Sequence, residues 1–68
     1  MKFDVYGRFR LEVTREEGSW VAYRLEPGKR IKISEPIPDS LEENEIGAYL
    51  DDIYHEMARP NQTVRQIE

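Results

Sequence analysis

Apolar and polar residues alternate strictly along the first part of the chain. From Phe3 to Val13 the odd positions are apolar or glycine, and the even positions are Asp, Tyr, Arg, Arg and Glu. A period of two is typical of a β-strand with one buried face. A second run, Trp20 to Leu25, is rich in β-forming residues and follows a segment that ends in Gly18. The pattern predicts a β-hairpin.

The register of this hairpin follows from the requirement that directly opposite residues share a face of the sheet. A two-residue loop at 17–18 would place Leu11 opposite Arg24 and so mix the two faces. A three-residue loop at 16–18 instead gives only apolar pairs on the inward face, and it puts a glycine at the left-handed third position. We therefore expect the three-residue loop. The expected pairs are Val13 with Val21, Leu11 with Tyr23, and Phe9 with Leu25.

A short third strand is predicted at residues 31–33. The Pro-Gly pair at 27–28 precedes it as a turn, and Pro36 and Pro38 follow it. The three strands then form an antiparallel meander over residues 1–34.

One amphipathic helix is predicted over residues 39–59. Ser40 lies three residues before Glu43, which is the spacing of a capping box, and Asp39 is an alternative N-cap. The helix should end before Pro60, because the residue preceding a proline disfavours helical geometry. At 100° per residue four apolar residues share one face of the helix: Ile46, Leu50, Ile53 and Met57.

The predicted fold is α+β, a three-stranded antiparallel meander with one helix packed on one face (β-β-β-α), in a single domain of residues 1–68. Residues 60–68 lack a clear apolar period, which is typical of a frayed end. Phe3 and Val5 extend beyond the paired part of the first strand, and at a sheet edge they would offer a site of self-association. The expected core comprises Phe9, Leu11, Val13, Val21, Tyr23, Leu25, Ile31, Ile33, Ile46, Leu50, Ile53 and Met57.

Composition narrows the class of protein. The chain has 68 residues, of which 38% are apolar and 35% charged, and it contains no cysteine. A fold of this size buries few side chains, which disfavours a deep catalytic cleft. The lack of cysteine removes disulfides and thiolate zinc sites and fits a reducing cytoplasm. No apolar run approaches the length of a membrane helix or a signal peptide. We expect a cytoplasmic protein with no membrane association.

Charge is distributed unevenly along the chain. Residues 1–34 carry eight basic and five acidic side chains, a net charge of +3, whereas residues 35–68 carry two basic and nine acidic side chains, a net charge of −7. In the expected register, Arg10, Arg24 and Lys32 form one row on the face of the sheet away from the helix, and Arg8, Glu26 and Arg30 form the neighbouring row. Aromatic residues lie beside these rows. The candidate residues for binding an anion or a partner are Arg8, Arg10, Arg24, Arg30, Lys32, Trp20 and Tyr6.

Three interpretations of this basic face are open. Cations with interleaved aromatic rings suit single-stranded nucleic acid or another polyanion. A protein partner that presents carboxylates fits the same face. The simplest interpretation is a solvated surface, since Glu12 and Glu26 neutralise part of the charge and the whole protein is acidic.

Catalytic chemistry has few candidate residues. His55 is the only histidine, and Asp51 lies four residues before it on the predicted helix. Zinc sites need three or four protein ligands, which this pair does not supply. No serine or threonine lies at a motif spacing from His55. We expect no enzyme activity, no metal and no cofactor.

The chain resembles two known families. Over nearly all of its length it resembles short uncharacterised bacterial proteins, whose start is similar to residues 1–9, and this resemblance implies no activity. Residues 18–23, the turn at 27–28 and residues 39–43 resemble HicB-type antitoxin domains, in which strands precede a helix. The second resemblance implies a dimeric protein-binding module whose partner is a small toxin. The chain departs from that family at residues 45–47 and lacks the DNA-binding segment that many members carry.

Together these features favour a non-enzymatic protein-interaction module that also forms a homodimer. Binding of single-stranded nucleic acid on the basic face is the alternative.

Overall fold

Five antiparallel strands and one helix make up the structure, a computed structural model that describes residues 1–34 and 36–68. The spatial order of the strands is β4-β3-β2-β1-β5. The α+β class, the antiparallel sheet and the single helix are confirmed, whereas the prediction of three strands is wrong. The elements are β1 (Lys2–Val5), β2 (Phe9–Glu16), β3 (Ser19–Glu26), β4 (Lys29–Lys32), α1 (Glu43–Tyr54), a 3₁₀ turn (His55–Met57) and β5 (Val64–Gln66).

The first alternating run forms a hairpin instead of one long strand. β1 pairs with β2, and Val5 lies opposite Phe9. Between them Tyr6 and Gly7 have φ angles of 57° and 70°, and the Arg8 amide donates to the Val5 carbonyl at 3.0 Å. Because this turn contains three residues, odd positions face odd positions across it. The alternation therefore continues unchanged through the turn and conceals it.

The turn between β2 and β3 contains two residues, so the predicted three-residue loop and its register are wrong. Leu11 lies opposite Arg24, and Val13 lies opposite Ala22. The φ angles at 17–18 are both positive, 52° and 82°. Two successive left-handed residues match the twist of the adjoining strands, which is why such turns are the commonest in hairpins. Turn geometry outweighed the matching of apolar pairs.

Arg24 makes the mixed pairing tolerable. Its guanidinium lies 4.6 Å from the centre of the Phe9 ring, and its Nε lies 3.6 Å from a Glu26 carboxylate oxygen. The Arg24 side chain is about half exposed, so its charge stays in contact with water. Arg24 can therefore lie on the helix side of the sheet, where its guanidinium reaches solvent.

Trp20 and Ala22 are the residues of β3 that enter the core, contrary to prediction. Their burial leaves Val21, Tyr23 and Leu25 half-buried on the opposite face. The Trp20 indole N–H donates to the Leu41 carbonyl at 2.9 Å. The indole therefore ties β3 to the segment that leads into the helix.

The helix is shorter than predicted at both ends. It begins at Glu43 instead of residue 39, and the backbone N–H of Glu42 donates to the Glu45 side chain at 2.8 Å. This contact replaces the predicted capping box of Ser40 and Glu43. The backbone leaves α-helical geometry at Tyr54, with φ −107° and ψ 6°. Of the predicted apolar face, Ile46 and Leu50 are fully buried, whereas Ile53 and Met57 are 37% and 38% exposed.

The end of the chain supplies the fifth strand. β5 pairs with β1, placing Val64 opposite Val5. The Lys2 amide donates to the Glu68 carbonyl at 2.9 Å. The structure corrects two predictions here, since residues 60–68 contain a strand and β1 lies inside the sheet. Phe3 therefore belongs to the core and cannot form an edge for self-association, and the same holds for Val5.

The hydrophobic core lies between the sheet and α1. Ile31 of the predicted core is 45% exposed. Six of the buried residues were not part of the predicted core: Phe3, Val5, Tyr6, Trp20, Ala22 and Ile37. None of the helices formed by the described residues is long and apolar enough to cross a membrane. The buried residues are Phe3, Val5, Tyr6, Leu11, Val13, Trp20, Ala22, Ile37, Ile46 and Leu50.

Candidate functional site

The face of the sheet turned away from α1, here called the outer face, carries most of the candidate binding residues that remain exposed. Alternation along each strand from the observed pairs assigns its side chains. It bears five cations and three carboxylates. Its members are Lys2, Asp4, Arg10, Glu12, Thr14, Glu16, Ser19, Val21, Tyr23, Leu25, Arg30, Lys32 and Arg65.

Three of the predicted binding residues lie on the outer face: Arg10, Arg30 and Lys32. The predicted row of Arg10, Arg24 and Lys32 does not form, because Arg24 points to the helix side. A shift of one residue in register moves every side chain of a strand to the other face. The neighbouring row of Arg8, Glu26 and Arg30 does not form either, because Glu26 lies on the helix side and Arg8 lies in a turn.

The remaining predicted residues are placed elsewhere. Arg8 lies in the turn between β1 and β2, and Tyr6 and Trp20 are buried in the core. The Arg15 guanidinium lies 4.1 Å from the centre of the Trp20 ring and donates to the carbonyl of Asp39. Neither aromatic ring is available for stacking on the outer face.

A hydrogen-bonded group of three side chains joins β2 and β3 on the outer face. The Tyr23 hydroxyl donates to a Glu16 carboxylate oxygen at 2.8 Å, and the Thr14 hydroxyl donates to the same oxygen at 3.0 Å. These bonds lower the pKa of Glu16, with the Tyr23 bond as the largest cause. The same bond raises the pKa of Tyr23. The group holds the Tyr23 ring in place, since its hydroxyl has a fixed partner.

Arg30 is held against this group by two contacts. Its guanidinium lies 4.2 Å from the centre of the Tyr23 ring, and its Nη1 lies 3.0 Å from a Glu12 carboxylate oxygen. One side of the tyrosine ring is therefore covered by Arg30. Arg10 and Lys32, by contrast, form no ion pair with any residue that the structure describes.

β3 places an apolar stripe between these cations. Val21, Tyr23 and Leu25 are each half-buried, although no helix in the described parts of the chain lies over them. Arg10 on β2 lies directly opposite Leu25, and Lys32 on β4 lies directly opposite Tyr23. The arrangement can bind apolar groups in the stripe and anionic groups at its sides.

The other end of the sheet holds a shallow polar cavity of about 330 Å³. It lies between the turn after β1 and residues 61–65. Asp4 accepts a hydrogen bond from the Gly7 amide at 3.1 Å and lies 3.6 Å from the Arg65 guanidinium. The two charged residues that line the cavity, Asp4 and Arg65, therefore already contact each other.

Tyr6 makes a contact that the sequence pattern did not indicate. Its hydroxyl donates to the carboxylate of Asp51, and it also lies 3.2 Å from the Asp51 carbonyl oxygen. Burial and this hydrogen bond raise the pKa of Tyr6 to about 12. Asp51 therefore fixes the helix to the β1–β2 turn. His55 is exposed in the 3₁₀ turn, and the described residues contain no group of three His, Cys, Asp or Glu that could hold a metal.

Comparison with known proteins adds one match. A domain of unknown function, DUF7661, matches residues 1–68. The chain belongs to the DUF7661 family. No curated protein and no solved structure matches it. This match confirms the prediction of a domain of unknown function, whereas the bacterial origin and the resemblance to HicB-type antitoxin domains stay predictions. In this DUF7661 protein the outer face is the candidate site, because Arg10 and Lys32, which form no ion pair with a described residue, flank the half-buried stripe of β3 there.

Proposed function

We propose that this DUF7661 protein is a small non-enzymatic protein-interaction module that binds an acidic partner protein on the outer face. The observation that carries the proposal is the stripe of Val21, Tyr23 and Leu25 between Arg10 and Lys32. Apolar surface rimmed by polar groups often marks a protein interface. The partner would cover the stripe with apolar side chains and pair its carboxylates with the flanking cations.

Charge complementarity favours an acidic partner. The outer face has a net charge of +2, whereas the protein as a whole has a net charge of −4. An acidic protein is therefore attracted to this face and repelled by the remaining surface. Such complementarity governs orientation and the rate of association more than the final affinity.

Nucleic acid fits the same face less well. Arg30 covers one side of the Tyr23 ring, so that ring is poorly placed for stacking on a base. The carboxylate of Glu16, bonded to Tyr23, and the carboxylate of Glu12, bonded to Arg30, lie on the same face and would repel phosphates. A phosphate backbone also offers no apolar groups to Val21 or Leu25.

The predicted homodimer needs a surface other than the edge predicted at Phe3 and Val5. Phe3 and Val5 are buried, and two outer faces brought together would repel each other. We therefore propose a partner of different sequence. A small toxin, implied by the resemblance to HicB-type domains, is one such partner. The cytoplasmic location and the bacterial origin stay predictions.

Selection from a library of short random peptides displayed on phage tests the proposed function. The immobilised protein should enrich peptides that combine Asp or Glu with apolar residues. Arg10→Ala and Lys32→Ala should each weaken binding of an enriched peptide about two- to fivefold, as expected for exposed ion pairs. Leu25→Ser should weaken it further, because an apolar contact is lost.

Arg59→Ala is the matched control, because Arg59 is exposed in a segment outside the sheet. This variant should bind as the wild type does. Enrichment of peptides without acidic residues would contradict the proposal, and so would equal weakening by Arg59→Ala. Tight binding of a labelled single-stranded oligonucleotide at low salt, lost in Arg10→Ala and Lys32→Ala, would favour nucleic acid instead.

A further inference from the structure

We propose that an extended acidic segment of the partner adds to β4 as a sixth strand of the sheet. This inference rests on the proposed function and specifies how the partner is held. β4 is the last strand on its side of the sheet, and it pairs only with β3. All four of its residues are exposed, so nothing in the described chain covers this edge.

The residues of β4 that bond to β3 can be told from those whose backbone N–H and C=O groups are free. The Ile33 amide donates to the Ala22 carbonyl at 3.0 Å, which makes this pair a hydrogen-bonded one. Hydrogen-bonded pairs alternate with non-bonded pairs along an antiparallel ladder. Ile31 and Lys29 therefore bond to β3. The N–H and C=O groups of Arg30 and Lys32 point outward to the open edge.

Charge selects the kind of strand that can pair there. β4 contains Lys29, Arg30 and Lys32 and no acidic residue. Lys29 and Lys32 form no ion pair within residues 1–34 and 36–68. Opposite charges directly across two strands stabilise the pairing, and like charges destabilise it. The edge should therefore accept an acidic strand.

The same cations argue against a second copy of this chain as the occupant. Pairing of β4 with another β4 would bring together two strands that each carry three positive charges. Lysines on an edge strand are a common means of preventing such pairing. The occupant must come from a chain of opposite charge.

The side chains of β4 specify an alternating pattern in the added strand. Arg30 and Lys32 project from the outer face, whereas Ile31 projects from the helix side and is 45% exposed. Carboxylates at every second position would lie beside these two cations, of which Lys32 has no ion pair among the described residues and Arg30 already contacts Glu12. An apolar residue between them would cover Ile31. The partner segment is thus expected to alternate acidic and apolar residues.

The opposite edge of the sheet lacks these features. β5 has three residues, and its single cation, Arg65, lies 3.6 Å from Asp4. Its charge is already engaged within the protein, so β4 is the better site for an added strand.

A comparison of Lys32→Pro with Lys32→Ala tests the edge directly. Both variants lose the positive charge, but only proline removes the outward N–H. The probe is a short peptide that alternates glutamate with valine or threonine, and a peptide of the same composition with its glutamates grouped at one end is the control. Lys32→Pro should bind the alternating peptide about three- to tenfold more weakly than Lys32→Ala, which corresponds to one hydrogen bond.

Hydrogen exchange of the wild-type protein supplies a second measurement that needs no substitution. The alternating peptide should slow exchange of the Arg30 and Lys32 amides, and the grouped peptide should not. This measurement decides the question even if Lys32→Pro fails to fold. Ile31→Pro is expected to disrupt β4, because the Ile31 amide bonds to β3.

Equal affinity of folded Lys32→Pro and Lys32→Ala, or unchanged exchange at Arg30 and Lys32, would overturn the added strand. If Arg10→Ala still weakens acidic peptides in that case, the outer-face function stands alone. Failure of every acidic peptide to bind would remove both proposals. Slow exchange at the same amides without peptide, together with a dimer in sedimentation, would show that a second copy occupies the edge.

Discussion

Tyr6 shows how one side chain can connect distant parts of this protein. It is 4% exposed and lies in a turn at a φ angle of 57°, which is uncommon for a residue with a bulky side chain. Its hydroxyl donates to Asp51, a residue 45 positions later in α1. The hydrogen bond and the burial of the ring compensate for the strained backbone.

The raised pKa of Tyr6 predicts a loss of stability at high pH. Folding favours the neutral phenol, so the pKa rises from 10.0 to about 12. The contribution of Tyr6 is complete below the unfolded pKa of 10.0 and falls as the pH approaches 12, because the unfolded chain ionises first. Urea unfolding of the wild type at a series of pH values measures this decline.

Tyr6→Phe should lose about 1 kcal/mol at neutral pH through the missing hydrogen bond. It should also show a shallower decline above pH 10.0, the unfolded value. Tyr49→Phe is the comparison at neutral pH, since it also removes one hydroxyl hydrogen bond, to the Pro36 carbonyl, and leaves the bond between Tyr6 and Asp51 in place. An identical pH profile for Tyr6→Phe and the wild type would contradict the explanation.

At the scale of elements, the two-residue turn at 17–18 fixes the register of the longest hairpin. Both residues are left-handed, yet only the second is glycine. Glu17 therefore keeps a conformation that a residue with a Cβ adopts at some cost. The preferred residues for the first position are Asn, Asp and Gly.

Glu17→Asn should accordingly stabilise the protein by about 0.5 to 1 kcal/mol, because asparagine tolerates the left-handed region. The midpoint of urea unfolding measures the gain. Glu56→Asn removes the same charge from an exposed position outside the turn and is the control. A larger gain from Glu56→Asn than from Glu17→Asn would show that charge, not backbone geometry, is responsible.

At the scale of the whole molecule, β5 determines which edges the sheet exposes. It pairs with the open side of β1, so that β4 and β5 are the edge strands of the sheet formed by the described residues. The cations gathered in residues 1–34 then lie mainly on the sheet, and α1 and the segments beside it carry most of the acidic residues. The unequal distribution of charge along the chain thus becomes a difference in charge between the sheet and the helical part of the protein.

Truncation after Thr63 should destabilise the protein by about 2 to 4 kcal/mol, through lost strand hydrogen bonds and lost burial of Val64. The uncovered β1 should then pair with other copies, which sedimentation velocity would detect as association. Arg65→Ala is the control, because it keeps the β5 backbone and removes only the contact with Asp4. A truncated chain that is monomeric and as stable as the full chain would contradict this account.

The spacing of apolar residues by itself determined that the chain forms strands with one buried face followed by an amphipathic helix. The reason is that buried positions recur every two residues in such a strand and every three or four residues in such a helix. Leu11, Val13, Ile46 and Leu50 are core residues as that pattern predicts. Only the tertiary structure decided the number of strands, the register and the edges. Alternation has the same parity on both sides of a three-residue turn, so it could not show the break between β1 and β2. The three residues of β5 carry too little pattern of their own, and their conformation depends on pairing with a strand about sixty positions earlier.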